Sequence, residues 1–435
     1  MPFLSPLDDR YAEETSALLP YFSDEALQRA RLFVEVAYFI ALSREKGVKE
    51  FPAVSATTAK TLEKWVEDFG PKDIAELRTI EKRTRHDVKA LEEYMRARVA
   101  KVPAIKKYES FVHFGLTSED VNNLAYGLLM HEAMRDCLLP AIDELSTMLQ
   151  KCSEKWWSEP MLSLTHGQAA TPTTVGAALA VFADRLDRQR ATLAELRMSG
   201  KFGGAVGNFH AHRLAYPKVN WHEFGARFVA ALGLVPLVHT TQINPHDDMA
   251  EFSHAFCRTN NVLLNLCRDC WHYISRGVFK QVVKKGEVGS STMPHKVNPI
   301  DFENAEGNLG MSTALFSHFA EKLSVSRLQR DLSDSTVQRN LGTAFGHHLL
   351  AVRAIIKGMS RLDIDRAALD QELDYHPEVI AEAIQTVLRK HGHADAYDQL
   401  KTLTRGTAIS RDELQEIIAK LPVPGAEREK LLSLL

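Results

Sequence analysis

Hydrophobic positions in the middle third of the chain recur in a seven-residue rhythm. Mostly apolar side chains follow steps of four and three from Val175 to Leu196, and again from Met249 to Tyr273. Such spacing predicts long amphipathic helices whose apolar faces need equally long partners. The sequence therefore predicts a bundle of near-parallel helices in this part of the chain.

Two more long helices are predicted to belong to the same bundle. One opens at Thr117, where Thr117-Ser118-Glu119-Asp120 forms a variant capping box, and it continues to Pro140, where a kink is expected. The other covers Val337 to Met359. Because long apolar faces can also be filled by other copies of the chain, we expect a homo-oligomer.

Shorter amphipathic helices flank the bundle on both sides. One is predicted to begin after Ser23, and a capping box at Ser410 predicts another near the end of the chain. Strand signals are nearly absent, so the sequence predicts an all-α fold. We expect three helical domains, namely an N-terminal domain at residues 1–112, a central bundle at 113–361 and a small C-terminal domain at 362–435.

Composition and charge exclude few functions. The chain has 435 residues, 45% of them hydrophobic and 25% charged, with a net charge of −3, so its overall charge gives no reason to expect nucleic acid or a membrane as partner. The first ten residues lack the basic and apolar regions of a signal peptide, and no apolar run could span a bilayer. We therefore expect a cytoplasmic protein.

Five cysteines are too few for a disulfide framework in a chain of this length. Cys267 and Cys270 have the spacing of metal ligands, but no second cysteine pair exists and both belong to a helical apolar pattern. Buried thiols are therefore predicted, and no metal site is expected.

The segment 284–299 interrupts the helical pattern. Gly286, Gly289, Pro294 and Pro299 exclude a continuous helix, and the segment offers no apolar face. A serine that follows a glycine, with a lysine and an asparagine downstream, could bind a carboxylate and stabilise a carbanion. A flexible linker explains the composition equally well, so composition alone leaves both interpretations open.

The exact amino-acid sequence of this segment resembles the signature of a known superfamily. The run Gly289-Ser290-Ser291-Thr292-Met293-Pro294-His295-Lys296-Val297-Asn298-Pro299 resembles the signature of the fumarase/aspartase superfamily. With the stretches below, nearly the whole chain resembles the adenylosuccinate lyase family in its bacterial form. That resemblance implies three helical domains, a central bundle that assembles into the multi-helix core of a homotetramer, and active sites that each draw on three subunits.

The resemblance also implies a C–N lyase of purine and AMP biosynthesis. Members of the family eliminate fumarate from adenylosuccinate, which leaves AMP, and from succinylated aminoimidazole carboxamide ribonucleotide. Small-molecule nucleotides would be the substrates, and no metal or organic cofactor is implied because the substrate's own carboxylate serves as the electron sink. Closure of the signature loop 284–299 would exclude water.

Four residues match positions that carry the chemistry in this family. Ser290 would remove the Cβ proton, although the registration of the motif alone separates it from Ser291, and Lys296 would hold the carboxylate. His166, in a turn placed just before a helix start predicted at 171–174, would protonate the leaving nitrogen. Glu303 would pair with this histidine. Without the resemblance, His166 would be a surface or capping histidine and Glu303 a solvated helix residue.

A larger group of polar residues matches the substrate-binding positions of the family. These residues are Arg10, Tyr11, Arg85, His86, Asp87, Thr117, Ser118, Gln242, Asn298, Asn304, Arg330, Ser335 and Arg339. Arg85 departs from the family, which more often has Asn or Glu there, so its role stays open. Read without the family, Asp87, Thr117 and Ser118 are helix caps, and Arg330 and Arg339 are solvated arginines of a capped surface helix.

Two other functions remain alternatives at this point. Another lyase of the superfamily, such as argininosuccinate lyase or a cycloisomerase, would share the signature, although His295 and the His86-Asp87-Val88 turn speak against it. A non-catalytic helical scaffold would need none of the four catalytic candidates, so their joint presence argues against that class.

Overall fold

The computed structural model describes residues 4–282, 293, 295–404 and 409–434. Within them the chain is predominantly α-helical, which confirms the predicted fold class. The helices are α1 (Ala12–Thr15), α2 (Leu19–Phe22), α3 (Asp24–Ser43), α4 (Ala56–Glu67), α5 (Pro71–Thr84), α6 (Asp87–Val99), α7 (Ser118–Ala133), α8 (Leu139–Lys155), α9 (Val175–Glu195), α10 (His210–Ala215), α11 (Trp221–Ala231), α12 (Asp247–Ser275), α13 (Ile300–Leu323), α14 (Ser333–Gln338), α15 (Leu341–Met359), α16 (Arg366–Tyr375), α17 (Ala381–Lys390), α18 (Ala396–Thr404), α19 (Arg411–Ala419) and α20 (Gly425–Leu432).

Short strands accompany the helices, although the sequence pattern shows almost no strand signal. They are β1 (Pro160–Thr165), β2 (Gln168–Thr174), β3 (Ser199–Gly200), β4 (Val235–Pro236), β5 (Phe279–Gln281) and β6 (Leu362–Ile364). The described strands pair as β1 with β2 and β5 with β6, both antiparallel, and as β3 with β4 in parallel.

Two of the predicted helix starts are confirmed by their caps. The Ser23 side chain accepts a hydrogen bond from the Ala26 N–H at 3.1 Å at the start of α3. At α19, Ser410 accepts from the Glu413 N–H at 3.2 Å, and the Glu413 carboxylate accepts from the Ser410 N–H at 2.8 Å. These reciprocal bonds satisfy N–H groups that have no partner inside the helix.

The helix that contains Pro140 is irregular in the turn before this proline. Between α7 and α8 the residues Met134–Leu138 form a π-helical segment. A proline inside a helix has no N–H to donate and crowds the preceding turn, and a wider turn relieves that crowding. The structure therefore shows a local widening just before Pro140, and the kink expected at Pro140 stays a prediction.

One predicted helix start is wrong, and one predicted helix is divided. Residues 171–174 lie in strand β2, and α9 begins only at Val175. The single helix predicted from Val337 is divided, because α14 ends at Gln338 and α15 begins at Leu341.

The described residues form two compact units, each with its own core. The first comprises Met1–Glu144, Asp187–Leu264 and Asn304–Ala354. An aromatic cluster lies at its centre, where the Tyr38 ring packs against Phe202, Phe224 and Phe228 at centroid distances of 5.4 to 6.2 Å. Aromatic burial of this kind stabilises a core strongly.

The second unit comprises Leu145–Leu186, Asn265–Glu303 and Ile355–Leu435. Its last part has a small apolar core that includes Ile384, Leu388, Leu414 and Ile418. This arrangement confirms the short amphipathic helix predicted after the capping box at Ser410, which is α19. No helix in the described ranges combines the length and apolarity needed to cross a membrane.

All five cysteines lie in described parts of the chain and none forms a disulfide. Cys137, Cys267 and Cys270 are buried, and Cys152 and Cys257 are partly buried. Burial raises the pKa of Cys270 well above its usual value. The prediction that Cys267 and Cys270 are buried thiols is confirmed.

Candidate active site

His86 connects two helix starts in the first unit. Arg85 ends α5 in a left-handed conformation with φ of 55°, and His86 follows as the N-cap of α6. His86 Nδ1 accepts from the Lys89 N–H at 3.2 Å, so the ring proton of the neutral imidazole is on Nε2. That nitrogen lies 3.4 Å from Ser118 Oγ. The alternative in which Asp87 is the N-cap is therefore wrong, since Asp87 is the first residue of α6.

Asp87 lies between two guanidinium groups. The carboxylate is 2.9 Å from Arg31 and 3.4 Å from Arg339, and it accepts from the Val88 N–H at 2.8 Å. Partial burial alone would raise the pKa of Asp87, but Arg31, the Val88 N–H and Arg339 together lower it. Arg339 also donates to Ser335 Oγ at 2.7 Å. Three of the predicted binding residues are thus in direct contact through Arg339.

The turn that carries Thr117 and Ser118 is fixed by a buried ion pair. Asp120 accepts from the Thr117 N–H at 2.9 Å, and Lys201 Nζ lies 2.7 Å from the same carboxylate. Both ionic side chains are fully buried, and the N–H groups of Gly203 and Gly204 also donate to Asp120. A buried ion pair of this kind needs such additional hydrogen bonds to compensate for its desolvation.

Arg330 lies beside two buried carboxylates. Its Nη1 is 2.9 Å from Asp334 and 3.5 Å from Glu119. Burial raises the pKa of Glu119 to about 7, although Arg330 opposes that shift. His246 lies 4.0 Å from Asp334, and burial lowers the pKa of this histidine.

The side chains of Glu119, His246 and Asp334 could in principle bind a metal ion. Their ligand atoms lie within 4.8 Å of one another. The Arg330 guanidinium already supplies a cation to both carboxylates, and His246 Nε2 is bonded to the Gln338 side chain at 2.8 Å. Arg330 therefore already supplies the positive charge that a metal ion would bring, and an arginine-centred cluster describes these side chains better than a metal centre.

Four other predicted residues form local contacts in the first unit. Asn304 donates to Tyr11 Oη at 3.3 Å, and the Arg10 guanidinium lies 5.6 Å from the Tyr11 ring centroid. Gln242 donates through its side chain to the Ala205 carbonyl at 2.8 Å, and its backbone N–H bonds the carbonyl of the residue before Arg330 at 3.2 Å. This backbone hydrogen bond connects Gln242 to the segment that carries Arg330.

His166 lies at the tip of the β1–β2 hairpin in the second unit. Thr165 pairs with Gln168, so His166 and Gly167 are the two turn residues, with φ of 53° and 71°. Two positive φ values are what a two-residue type I′ turn requires. The His166 side chain is exposed, so the hairpin presents an imidazole to the solvent. It lies on a strand turn, whereas the sequence placed it directly before a helix.

The remaining chemical candidates of the second unit lie around the signature segment. Ser290 and its neighbour Ser291 fall outside the described residues. Lys296 is exposed, and its backbone N–H donates to the Met293 carbonyl at 3.0 Å. Gln281 donates to the Val297 carbonyl at 3.0 Å, which connects β5 to the region of Lys296 and Asn298.

Glu303 lies in the first turn of α13 and is exposed. Its carboxylate accepts a hydrogen bond from the Trp271 indole N–H at 3.2 Å. The pairing of Glu303 with His166 stays a prediction, and the contact with Trp271 was not visible in the sequence.

Sequence reasoning missed the residues that support the binding groups. Asp120, Lys201, Arg31, Glu119 and Asp334 are all buried and charged. Glu119 and Asp120 had a local signal, as acidic residues in the first turn of a predicted helix, and Asp334 lies four residues after Arg330. Arg31 and Lys201 are recognised only when distant segments meet.

Comparison with solved structures first defines the class of fold. The chain resembles a fumarate lyase from Mesorhizobium sp. BNC1, with a TM-score of 0.74 at 18% identity, covering 96% of this chain and 94% of that one. A family model described as Lyase matches residues 9–312. The fold is therefore that of the fumarate lyases.

Sequence comparison then identifies the family within this class of fold. A model described as Adenylosuccinate lyase C-terminal matches residues 326–435. Adenylosuccinate lyase from Legionella pneumophila strain Corby is 47% identical over 99% of this chain and 94% of its own length, and that from Escherichia coli K12 is 44% identical over 98% and 94%. The chain belongs to the adenylosuccinate lyase family and is a C–N lyase.

Proposed function

We propose that this enzyme cleaves adenylosuccinate to AMP and fumarate, and succinylated aminoimidazole carboxamide ribonucleotide to its carboxamide and fumarate. The observation that carries this proposal is the contact network of Asp87, Ser335 and Arg339, with Arg330 nearby in sequence on the same segment. Guanidinium groups beside a serine hydroxyl suit a phosphate, because they combine charge with directed donors. Family membership supports the same substrates.

The remaining polar groups of the first unit would bind the rest of the substrate. Thr117 and Ser118 lie at the N-terminus of α7, where unpaired N–H groups favour an anion such as the succinyl carboxylate. His86 presents its Nε2 proton towards Ser118 and would donate to the same region. Tyr11, Asn304 and Gln242 complete the proposed binding set.

The elimination would use the residues of the second unit. Ser290 takes the Cβ proton, the electron pair forms the double bond of fumarate, and the C–N bond breaks as His166 protonates the leaving nitrogen. Lys296 and Asn298 bind the carboxylate on which negative charge develops, and Glu303 pairs with His166. The exposed position of His166 at a hairpin tip supports this role, since an acid must reach the substrate.

We further propose a cytoplasmic homotetramer whose active sites are shared between subunits. Large apolar side chains remain exposed on three long helices, namely Val181 on α9, Trp271 on α12 and Met311 on α13. Exposed apolar groups on long helices are suited to burial against other copies of the chain. Size-exclusion chromatography with light scattering tests the tetramer, and a monomer would contradict it.

The first test of function is an ultraviolet assay of the purified protein with adenylosuccinate. We expect loss of substrate with release of equal amounts of AMP and fumarate. Ser290→Ala should abolish turnover while substrate still binds, and Ser291→Ala is the matched control for the neighbouring hydroxyl. Cleavage of argininosuccinate instead would reject the purine substrates, and no cleavage of any succinate adduct would support a scaffold.

A further inference from the structure

Glu119 is a buried charged group near the proposed phosphate site. It is 3% exposed, and its Oε1 is buried without a hydrogen-bond partner among the described residues. Its Oε2 lies 3.5 Å from Arg330, which is itself 2.9 Å from Asp334. One guanidinium therefore serves two buried carboxylates, and the cluster has room for one more positive charge or one more proton.

The charged neighbours of Glu119 come from several elements. Arg330 and Asp334 lie at or just before α14, and their charges act on Glu119. Asn122, one turn further along α7, donates a hydrogen bond to the Glu119 carboxylate at 3.5 Å. The charge of Lys201, which is bound to Asp120, also acts on Glu119. His246 and Tyr126 are further titratable groups near this carboxyl group. Lys201 is already bound to Asp120, so Arg330 is the cation that Glu119 contacts directly.

We propose that Glu119 takes up a proton when the substrate's phosphate binds at Arg330, and that it thereby positions this arginine for the nucleotide. The inference rests on the proposed function and adds to it a residue that acts through another. A phosphate dianion beside Arg330 competes for the same positive charge and repels the Glu119 carboxylate. Protonation removes that repulsion and leaves Arg330 held by Asp334.

The electrostatic environment of Glu119 agrees with this exchange. Burial raises the pKa of Glu119 to about 7, so near neutral pH the carboxyl group is present in both forms before the nucleotide binds. A nearby anion raises the pKa of an acid further. Binding should therefore be accompanied by net proton uptake near pH 7, and it should weaken as the pH rises above the pKa of the free enzyme.

Calorimetry of AMP binding tests the proposal directly. Titrations at pH 7 in two buffers of different ionisation enthalpy give the number of protons exchanged. We expect the wild-type enzyme to take up about half a proton more than Glu119→Gln, because an acid with a pKa near the working pH is about half ionised. Glu223→Gln, at an exposed glutamate of α11, is the matched control and should behave as the wild type.

Steady-state kinetics with adenylosuccinate provides the second readout. In the wild type the KM should rise about fivefold to tenfold between pH 6 and pH 8, as a binding-linked pKa shift of about one unit would cause. Glu119→Gln should lose this dependence of KM while the pH profile of kcat keeps its shape. A glutamate with a purely structural role would not separate the two profiles.

Three results would overturn the proposal. One is equal proton uptake in the wild type and in Glu119→Gln, and another is an unchanged pH dependence of KM in that variant. If Glu119→Gln does not fold, absence of net proton uptake by the wild type between pH 6.5 and pH 7.5 overturns it. Normal cleavage of adenylosuccinate with any of these results would leave the proposed function intact, whereas failure to bind AMP and to cleave adenylosuccinate would remove both.

Discussion

The two units hold their functional side chains in different ways. In the first unit the proposed binding groups contact one another and buried charges, as Arg339 does with Ser335 and Asp87, and as Asp87 does with Arg31. In the second unit His166 and Lys296 are exposed. The difference indicates that the proposed binding groups are already oriented within the folded chain, whereas the two proposed chemical groups are exposed to solvent.

This division has a physical reason. A binding group that is already oriented loses little conformational freedom when the ligand arrives, so more of its interaction energy appears as affinity. A general acid must instead meet a proton acceptor on the substrate and exchange protons with water between turnovers. Under the proposed roles, the contacts of the first unit meet the first requirement and the exposure of His166 in the second unit meets the second.

The largest expected effect tests the second unit. His166→Asn removes the proposed acid but suits the positive φ of the turn, since asparagine favours this conformation. We expect kcat to fall roughly 10²- to 10⁴-fold, the usual contribution of general acid catalysis, with little change in melting temperature. A variant with near wild-type kcat would show that the hairpin does not supply the acid. Gln168→Asn changes the exposed residue that follows the turn, and as the control it should keep the wild-type kcat.

The next effect tests the buried support of the first unit. Lys201→Met leaves Asp120 without its cation in a fully buried position. We expect a loss of about 3–5 kcal/mol of stability, measured as a lower melting temperature. The double variant Lys201→Met with Asp120→Asn should recover part of this loss. If Lys201→Met melts as the wild type does, the ion pair does not hold the Thr117 turn.

A smaller effect separates binding from chemistry. Arg339→Lys keeps the charge but loses the planar group that contacts both Ser335 and Asp87. We expect the KM for adenylosuccinate to rise about tenfold, which corresponds to about 1.4 kcal/mol, while kcat changes less. Arg227→Lys replaces an exposed arginine of α11 and should leave both constants unchanged. A fall in kcat alone would place Arg339 in the chemical step.

The smallest effect concerns pH and the segment before Thr117. Burial alone would lower the pKa of His113, but the neighbouring Glu35 carboxylate raises it above its usual value. The stabilising contribution of His113 is therefore complete below the unfolded pKa of about 6.5 and is lost as pH rises through the folded value. We expect His113→Gln to remove a decline in the free energy of unfolding of on the order of 1 kcal/mol over that interval, followed through the melting temperature at each pH. An identical decline in both proteins would contradict this assignment.

Local signals in the sequence predicted much of the fold. The caps at Ser23 and Ser410 and the long apolar repeats each depend on residues within a few turns, so they are visible in the sequence. The strand at 171–174 was missed because threonines that could cap a helix also favour extended structure. This strand pairs with the strand around Met161. Pro172 lies opposite the shift in pairing register between Met161 and Ser163, where the lack of a backbone N–H donor is tolerated.

The candidate site could be predicted only through the family resemblance. Residue types alone left His86, Asp87 and Arg339 equally consistent with caps and a solvated surface. The cluster of Glu119, His246 and Asp334 joins three segments more than 80 residues apart. Such contacts depend on tertiary packing, which neither periodicity nor spacing encodes.

The burial of the cysteines has a practical consequence for labelling experiments. Burial raises the pKa of Cys137, Cys152 and Cys257 as it does that of Cys270, and a protonated, shielded thiol reacts slowly with alkylating reagents. A cysteine introduced at Gln168, which is exposed at the base of the hairpin turn, would therefore react first. A fluorophore or spin label attached there would report the surroundings of His166 without removal of any native cysteine.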